Sequence, residues 1–157
     1  MSVELSVPQG YQLILGQSHF IKTVEDLYEA LVTAMPRIAF GVAFCEASGK
    51  SLVRHDGTDE GCERMASDFA LKLSAGHSFA VVLKESFPIN VLNRIKAVEE
   101  VATVYCATSN KVSVIIADLG EGRGVLGVVD GGTPRAVESD QDKTDRKEFL
   151  RKIGYKR

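Results

Sequence analysis

The chain has 157 residues, of which 45% are hydrophobic and 25% are charged, and its formal net charge is −2 at pH 7. A chain of this length buries about 70% of the surface that its unfolded form exposes, enough for one sizeable core. The slightly acidic charge argues against a nucleic-acid partner, which would require a basic stripe. No apolar run approaches the roughly 20 residues of a membrane span, so no membrane partner is expected.

The cysteines and the absence of linkers further limit the class of protein to which the chain can belong. Cys45, Cys62 and Cys106 are odd in number, widely spaced and form no CxxC pair. This pattern predicts reduced thiols in a cytoplasmic protein, with no protein-bound metal site and no disulfide framework. No linker rich in Pro, Gly or Ser divides the sequence, so we predict a single domain over residues 1–157.

Apolar periodicity and turn residues divide the first half of the chain into strands and helices. Thr23 has the side chain of a helix N-cap and is followed by acidic residues, and Pro36 ends that helix. Residues 38–45 are nearly all apolar, as expected for a central strand covered on both faces. In chain order we predict strands at residues 3–7 and 11–15, a helix beginning at 23, strands at 38–45 and 51–54, and a helix from about 59 to 75.

The second half continues the alternation. Pro88 occupies a favourable first-turn position of a helix. The predicted elements are a strand at residues 79–83, a helix from about 87 to 98, strands at 101–107, 112–117 and 125–129, and a helix from about 141 to 153. Some connections are too short for parallel crossovers, so the sequence predicts an α/β domain in which about four helices flank one mixed β-sheet.

A lone imidazole stands beside a glycine, Gly76-His77, at the mouth of the strand at residues 79–83. Histidine can act near neutral pH as a nucleophile, a proton shuttle or a ligand. The glycine allows a phosphate to approach the backbone closely. The alternative interpretation is a histidine that is merely hydrogen-bonded at the end of a strand.

Polar residues also follow other buried strands. Glu46, Ser48 and Gly49 follow the strand at residues 38–45, and Asp130 with Gly131 follows the strand at 125–129. Ligand crevices in α/β proteins tend to form beyond strand ends. The sequence therefore predicts that several of these segments share one crevice with His77.

Two other motifs favour structural roles. Gly122 to Gly127 matches GxGxxG, but a dinucleotide-binding glycine loop opens a helix, whereas this segment leads into Val128-Val129-Asp130. We predict a hairpin there, with Arg123 free to meet an anion. Cys45 could act as a nucleophile, but the adjacent Glu46 would raise its pKa, so packing is favoured. His19 and His55 have no evident partners and are predicted to lie at the surface.

These residues resemble, in order and nearly throughout, the adenosine-specific kinase family of bacteria and archaea. The resemblance implies a compact α/β domain that recognises adenosine or AMP, with a histidine able to accept a phosphoryl group. The chain departs from the family pattern at Ser109-Asn110-Lys111, where Asn-Pro is expected after an Ala-Thr pair. The matching strings are Phe40 to Gly49, Arg54 with Asp56-Gly57, Ala75 to Phe79, Phe87 to Asn93, Tyr105 to Thr108, Gly122 to Gly131 and Leu150 to Lys156.

On this resemblance, the leading hypothesis is a phosphotransferase in which His77 attacks a phosphoryl group as a neutral imidazole. Glu46 or Asp130 would hold the other ring nitrogen or a Mg²⁺ ion that accompanies ATP, and no tightly bound cofactor is expected. Further candidate binding residues are Arg54 and Arg123 for phosphate oxygens, Ser48, Gly49, Gly76 and Gly131 for phosphate approach, and Asn90 and Asn93 for the polar edge of the nucleoside.

The alternative is a nucleotide-binding or sensing module that binds adenosine or AMP without turnover. The absence of a Walker A phosphate cradle favours this alternative, whereas the candidate nucleophile His77 favours the phosphotransferase. A purely structural subunit agrees poorly with so many polar groups at strand ends. In either case we expect a homo-oligomer, because the apolar segments exceed what one small sheet buries and symmetric assembly is common.

Overall fold

The structure is a computed structural model that describes residues 1–157. Every strand and helix expected from the apolar pattern is present, although some boundaries differ. In chain order the elements are β1 (Ser2–Leu5), β2 (Tyr11–Ser18), α1 (Thr23–Ala34), β3 (Ala39–Cys45), β4 (Val53–Gly57), α2 (Glu60–Leu73), β5 (Ser78–Lys84), a 3-10 turn (Pro88–Asn90), α3 (Leu92–Lys96), β6 (Val101–Thr108), β7 (Val112–Asp118), β8 (Arg123–Asp130) and α4 (Asp140–Lys152).

The strands form two sheets. A five-stranded sheet has the order β4-β3-β5-β2-β6, and a three-stranded sheet has the order β1-β7-β8. The α/β class with four helices is thus confirmed. In place of one mixed sheet, all paired strands run antiparallel. The physical reason is that β4 forms a hairpin with β3 and α2 returns the chain, so that β5 enters the sheet antiparallel to β3.

Side-chain alternation along the five-stranded sheet divides the interior into two cores. Leu13 and Leu15 of β2 face α2 and the three-stranded sheet, in a cluster that also contains Phe69 and Val114. Ile14 faces the opposite side, where the apolar stripes of α1 and α3 pack against the sheet. Both faces of β2, β3 and β5 are therefore covered, which explains why their sequences are almost continuously apolar.

Two local predictions need correction. Thr23 is not a helix cap: it is buried inside the first turn of α1, and its hydroxyl contacts Ser18 Oγ at 2.7 Å and donates to the carbonyl of Phe20. The predicted third helix is a 3-10 turn followed by the short α3. The predicted hairpin is confirmed, because β7 and β8 pair around the turn before Arg123. No helix has the length and apolar character of a membrane span.

Candidate functional site

His77 lies in the turn between α2 and β5, at the end of the sheet where β3 ends and β4 begins. Its φ of +64° is in the left-handed region, which costs a non-glycine residue roughly 1–3 kcal/mol. Its N–H donates to the carbonyl of Cys45 at 2.8 Å, and its own carbonyl accepts from the N–H of Ser18 at 2.9 Å. These bonds to the ends of β3 and β2 hold His77 in its strained conformation.

The imidazole of His77 is half-buried and held by aromatic contacts. Its ring stacks on Phe44 at 5.8 Å between centroids and 17° between planes, and it meets the ring of His19 edge-on at 6.4 Å. Neither ring nitrogen forms a hydrogen bond within the chain, in contrast to His55, whose Nδ1 lies 2.6 Å from Glu63 Oε1. The ring of His77 is thus positioned by packing while both nitrogens stay available to a ligand.

Glu46 and Arg54 form an ion pair on the same side of the sheet as His77. Arg54 lies opposite Phe44 in the β3–β4 register, so both side chains share one face. Its Nη2 donates to both carboxylate oxygens of Glu46, at 3.2 and 3.1 Å, while its buried Nε has no hydrogen-bond partner. The structure therefore holds a guanidinium with an unused donor beside the residue on which His77 stacks.

The carboxylate of Glu46 is fixed from two directions. The N–H of Leu52 donates to Oε2 at 3.0 Å, and this bond is the main cause that lowers the pKa of Glu46, with a further contribution from Arg54. A carboxyl with a lowered pKa stabilises the folded chain above the ordinary Glu pKa, and this stabilisation is lost as the pH falls through the lowered value. The β3–β4 loop should therefore loosen only in acid.

The pKa of Glu46 should rise in an Arg54→Gln variant but stay below its ordinary value, because the Leu52 N–H continues to donate to the carboxylate. A carbon-13 NMR titration of the Glu46 carboxyl, wild type against variant, measures this. Glu138, which pairs with Arg146 far along the chain, serves as the internal control and should titrate identically in both proteins. An unchanged Glu46 pKa would show that the ion pair with Arg54 is not formed in solution.

Two cavities flank this end of the sheet. We call the first the hairpin cleft. It has a volume of about 330 Å³ and lies between the β3–β4 loop, the end of α2 and the β7–β8 turn. It brings together three predicted site residues, Glu46, Gly76 and Arg123. Gly76 packs closely here, since an added Cβ would lie 3.0 Å from Ala47 Cβ. The Nε of Arg123 donates a hydrogen bond to Asp118 Oδ2 at 2.8 Å.

The second cavity, here the edge groove, has a volume of about 610 Å³. It lies between the start of α1, represented by Ile21, Lys22, Val24 and Glu25, and residues 52–56 of the edge strand β4 and its entry. Arg54 lines this groove and also holds Glu46, which lines the hairpin cleft. The Glu46–Arg54 pair thus connects the two cavities.

Asp130 lies at the opposite end of the five-stranded sheet from His77. Its carboxylate accepts from Thr108 Oγ1 at 2.8 Å and from Asn110 Nδ2 at 3.0 Å. Thr108 of β6 pairs with Leu13 of β2, and Leu13 pairs in turn with Val82 of β5. Val82 comes five residues after His77. At about 3.4 Å per residue this is a separation of roughly 17 Å. Within one chain, Asp130 and His77 are not brought together.

The other predicted binding residues also divide between the His77 end and the Asp130 end of the five-stranded sheet. Ser48 and Gly49 belong to the β3–β4 loop, where Gly49 has a φ of +66° and lies near Glu46. Gly131, with a φ of +68°, sits beside Asn110 and Asp130. Asn90 and Asn93 are exposed beyond the far end of β5, and Asn90 Oδ1 accepts the N–H of Phe87 at 3.0 Å, which stabilises the 3-10 turn.

His19 was predicted to be a surface residue without a partner, and it is exposed, but its ring meets that of His77. It follows β2 directly, and the β2–β5 register places Gln17 opposite Ser78. A helix-like or strand-like pattern cannot reveal this neighbour, because the pairing joins residues about 60 positions apart. The only local signal was a histidine at the end of an apolar strand, the same signal that identified His77.

Cys45, Cys62 and Cys106 form no disulfide in the structure. Burial raises the pKa of the Cys45 thiol, which donates to the carbonyl of Ala70 at 3.3 Å. Burial likewise raises the pKa of Cys62 to about 12 and that of Cys106 to about 11. Protonated, enclosed thiols are poor nucleophiles near neutral pH. No group of three or more His, Cys, Asp or Glu side chains is placed to hold a metal ion.

Comparison with known proteins identifies a family and a solved structure of similar fold. The family model described as "Adenosine specific kinase" matches residues 3–156. The crystal structure of the PH1918 protein from Pyrococcus horikoshii OT3 is similar, with a TM-score of 0.95 and 44% sequence identity over 100% of this chain and 97% of that one. The comparison with curated proteins found no match. The chain therefore belongs to the adenosine-specific kinase family.

Proposed function

We propose that the protein is an adenosine- or AMP-binding phosphotransferase in which His77 accepts the phosphoryl group. The observation that carries this proposal is the state of the imidazole: half-buried, positioned by Phe44 and His19, and without a hydrogen bond at either nitrogen. A structural histidine at a strand end normally uses a ring nitrogen to satisfy a neighbour. The strained backbone of His77 further supports a functional role, because strain of this kind clusters at functional sites.

The reaction has two transfers. The lone pair of the neutral His77 nitrogen attacks the γ-phosphorus of ATP, an N–P bond forms, the O–P bond to ADP breaks and ADP leaves. The 5′-hydroxyl of adenosine then attacks the same phosphorus, the N–P bond breaks and AMP forms. The hydroxyl proton passes to the imidazole nitrogen that the phosphorus leaves, which gives an imidazolium. This imidazolium releases one proton to solvent, so His77 returns to its neutral state.

Arg54 is the best-placed group to stabilise charge on the transferred phosphoryl group. It shares a sheet face with Phe44, lines the edge groove, and is held in place by Glu46. Arg123, across the hairpin cleft, is the second candidate for phosphate oxygens. Mg²⁺ enters with ATP as part of that substrate. Asp130, Asn90 and Asn93, at the far end of the sheet, take no part in the mechanism proposed for one chain.

The second candidate function is a sensing module that binds adenosine or AMP without transferring phosphate. The observation in its favour is that no Walker A loop is present in the sequence to cradle the phosphates of ATP. Incubation with γ-labelled ATP separates the two candidates, since only the phosphotransferase acquires an acid-labile label on the protein.

Both candidates predict stabilisation by ligand. Adenosine or AMP at a hundredfold excess over its Kd should raise the unfolding free energy by about 2.7 kcal/mol, because ligand binds only the folded chain. Differential scanning fluorimetry over a concentration series measures the corresponding rise in Tm. Guanosine at the same concentrations is the control. A folded protein whose Tm neither adenosine nor AMP shifts at millimolar concentration would contradict the nucleoside assignment.

The protein is also proposed to act as a homo-oligomer in the cytoplasm, the compartment that suits its three free thiols. The support for an oligomer is unburied apolar surface: Leu119, Leu126 and Val137 are exposed, and every residue of α4 except Leu150 is exposed as well. A second copy covering this surface would bury it symmetrically. Light scattering at micromolar concentration should give a multiple of 17.0 kDa, and a monomer mass would dispose of the proposal.

A further inference from the structure

A row of four rings runs from Phe44 and His77 to Phe20, the residue that precedes Ile21 of the edge groove. Phe20 stacks with His19 at 6.0 Å and 25°, His19 meets His77, and His77 stacks on Phe44. Ile21, the residue after Phe20, lines the groove, and so does Arg54, which shares the sheet face of Phe44. A ligand in the groove would therefore contact Arg54 directly, and both sides of the groove adjoin the row of rings that contains His77.

Each side of the groove contributes an apolar side chain. Ile21 enters from the start of α1 and Leu52 from the entry to β4, and each remains 46% exposed to solvent. Phe20, beside Ile21, is 50% exposed. The volume of about 610 Å³ lies within the roughly 300–1,000 Å³ typical of small-molecule pockets. Apolar side chains from both sides, with a ring beside them, suit a flat, largely apolar group such as a nucleobase.

The charges of the groove favour an uncharged ligand. Lys22 and Arg54 are balanced by Glu25 and Asp56, so the lining has no excess of positive charge to attract a polyphosphate. Lys22 is moreover engaged by Asp26 and lies 3.5 Å from Glu100 Oε2. Glu25 forms no hydrogen bond and no ion pair within the chain, so its carboxylate is free to accept a hydrogen bond. The exocyclic amino group of adenine is such a donor.

We infer that the edge groove binds the base of a 6-aminopurine nucleoside, with Ile21 and Leu52 against its two faces and Glu25 accepting from its amino group. This inference rests on the proposed function, because it assigns the nucleoside of that reaction to a place in the fold. The ribose 5′-hydroxyl then points toward the end of the groove at Arg54 and His77. Inosine, which has a carbonyl oxygen in place of the amino group, is repelled by the Glu25 carboxylate.

Isothermal titration calorimetry with adenosine tests the apolar contacts. Ile21→Ser and Leu52→Ser should each weaken adenosine binding about tenfold, because each removes an apolar side chain from one face of the base. Ile89→Ser, which removes an exposed apolar side chain elsewhere on the surface, is the matched control and should bind as the wild type does. Glu25→Gln should reduce the preference for adenosine over inosine.

Methyl NMR of the wild-type protein supplies a measurement that needs no variant. Adenosine should shift the methyl signals of Ile21 and Leu52 and leave those of Ile89 and Leu126 in place. Binding of adenosine with unchanged affinity in both serine variants, or with no shift at Ile21 and Leu52, overturns the edge groove as the base pocket and leaves the proposed function standing. Failure of the wild type to bind adenosine or AMP overturns the proposed function itself.

Discussion

The His77→Asn variant should lose all acid-labile labelling by γ-labelled ATP while it keeps its fold. Asparagine is among the residues that best tolerate the left-handed conformation that His77 adopts, so the turn before β5 is preserved. The imidazole donates and accepts no hydrogen bond within the chain, and the two backbone bonds to Cys45 and Ser18 remain. An amide cannot form a phosphoramidate, so the label is lost for a chemical reason. Filter-bound label at neutral pH and circular dichroism melting measure the two outcomes.

His19→Asn is the matched control, because its imidazole lies against that of His77 but is more exposed and does not belong to the strained turn. Its labelling should become slower but persist at His77, because His19 helps to position the ring while the accepting nitrogen and the stack on Phe44 remain. His77→Ala should lose the label as well, with a lower Tm, since alanine is less tolerant of a positive φ. Labelling that persists in His77→Asn, or unfolding of that variant, would return His77 to a structural role at the end of a strand.

Among substitutions that add a single methyl group, Gly41→Ala should lower the unfolding free energy of the protein most. An added Cβ would lie 2.2 Å from the backbone nitrogen of Glu63 and 2.3 Å from the carbonyl carbon of Cys62, both in α2. Neither atom can move without the helix, so β3 and α2 must separate at a cost of about 3 kcal/mol or more. Urea denaturation measures the change in the free energy of unfolding.

The control for Gly41 is Gly127→Ala, which adds the same methyl in β8, where nothing lies within 4 Å of the new Cβ. That variant should unfold close to the wild-type midpoint. Because β3 also delivers Glu46 to the site, Gly41→Ala should weaken the ion pair with Arg54 and raise the pKa of Glu46. Equal stabilities of the two alanine variants would contradict the close packing of α2 on β3.

Local patterns predicted the strands and helices because the alternation of buried and exposed residues along an element is visible in a short stretch of sequence. The apolar run at residues 38–45 and the alternation around Ile14 follow directly from sheet faces that are covered or divided between two cores. Strand pairing is not local. The sequence offered no means to see that β7 leaves the main sheet to pair with β1, which is why one mixed sheet was expected where two antiparallel sheets exist.

The same limit decided which site residues could be grouped correctly. A crevice beyond strand ends is a property of parallel strands, whose carboxyl ends meet at one edge. In this antiparallel sheet, β3 ends beside His77. By contrast, β6 ends with Thr108 at the opposite end of the strands, where the Thr108 hydroxyl donates to Asp130. Glu46 and Gly76 lie near His77, because the N–H of His77 donates to Cys45 at the end of β3, directly before Glu46. His19 could be found only from the register of β2 with β5.

The most direct test of phosphoryl transfer through His77 is one time course with γ-labelled ATP, followed by a chase with unlabelled adenosine. The label should first accumulate on the protein, at His77 in the phosphopeptide map, and then move into AMP as adenosine is added. Protein label should fall by the amount that AMP gains. AMP that becomes labelled without any labelled protein, or a protein that acquires label at a residue other than His77, would contradict the account.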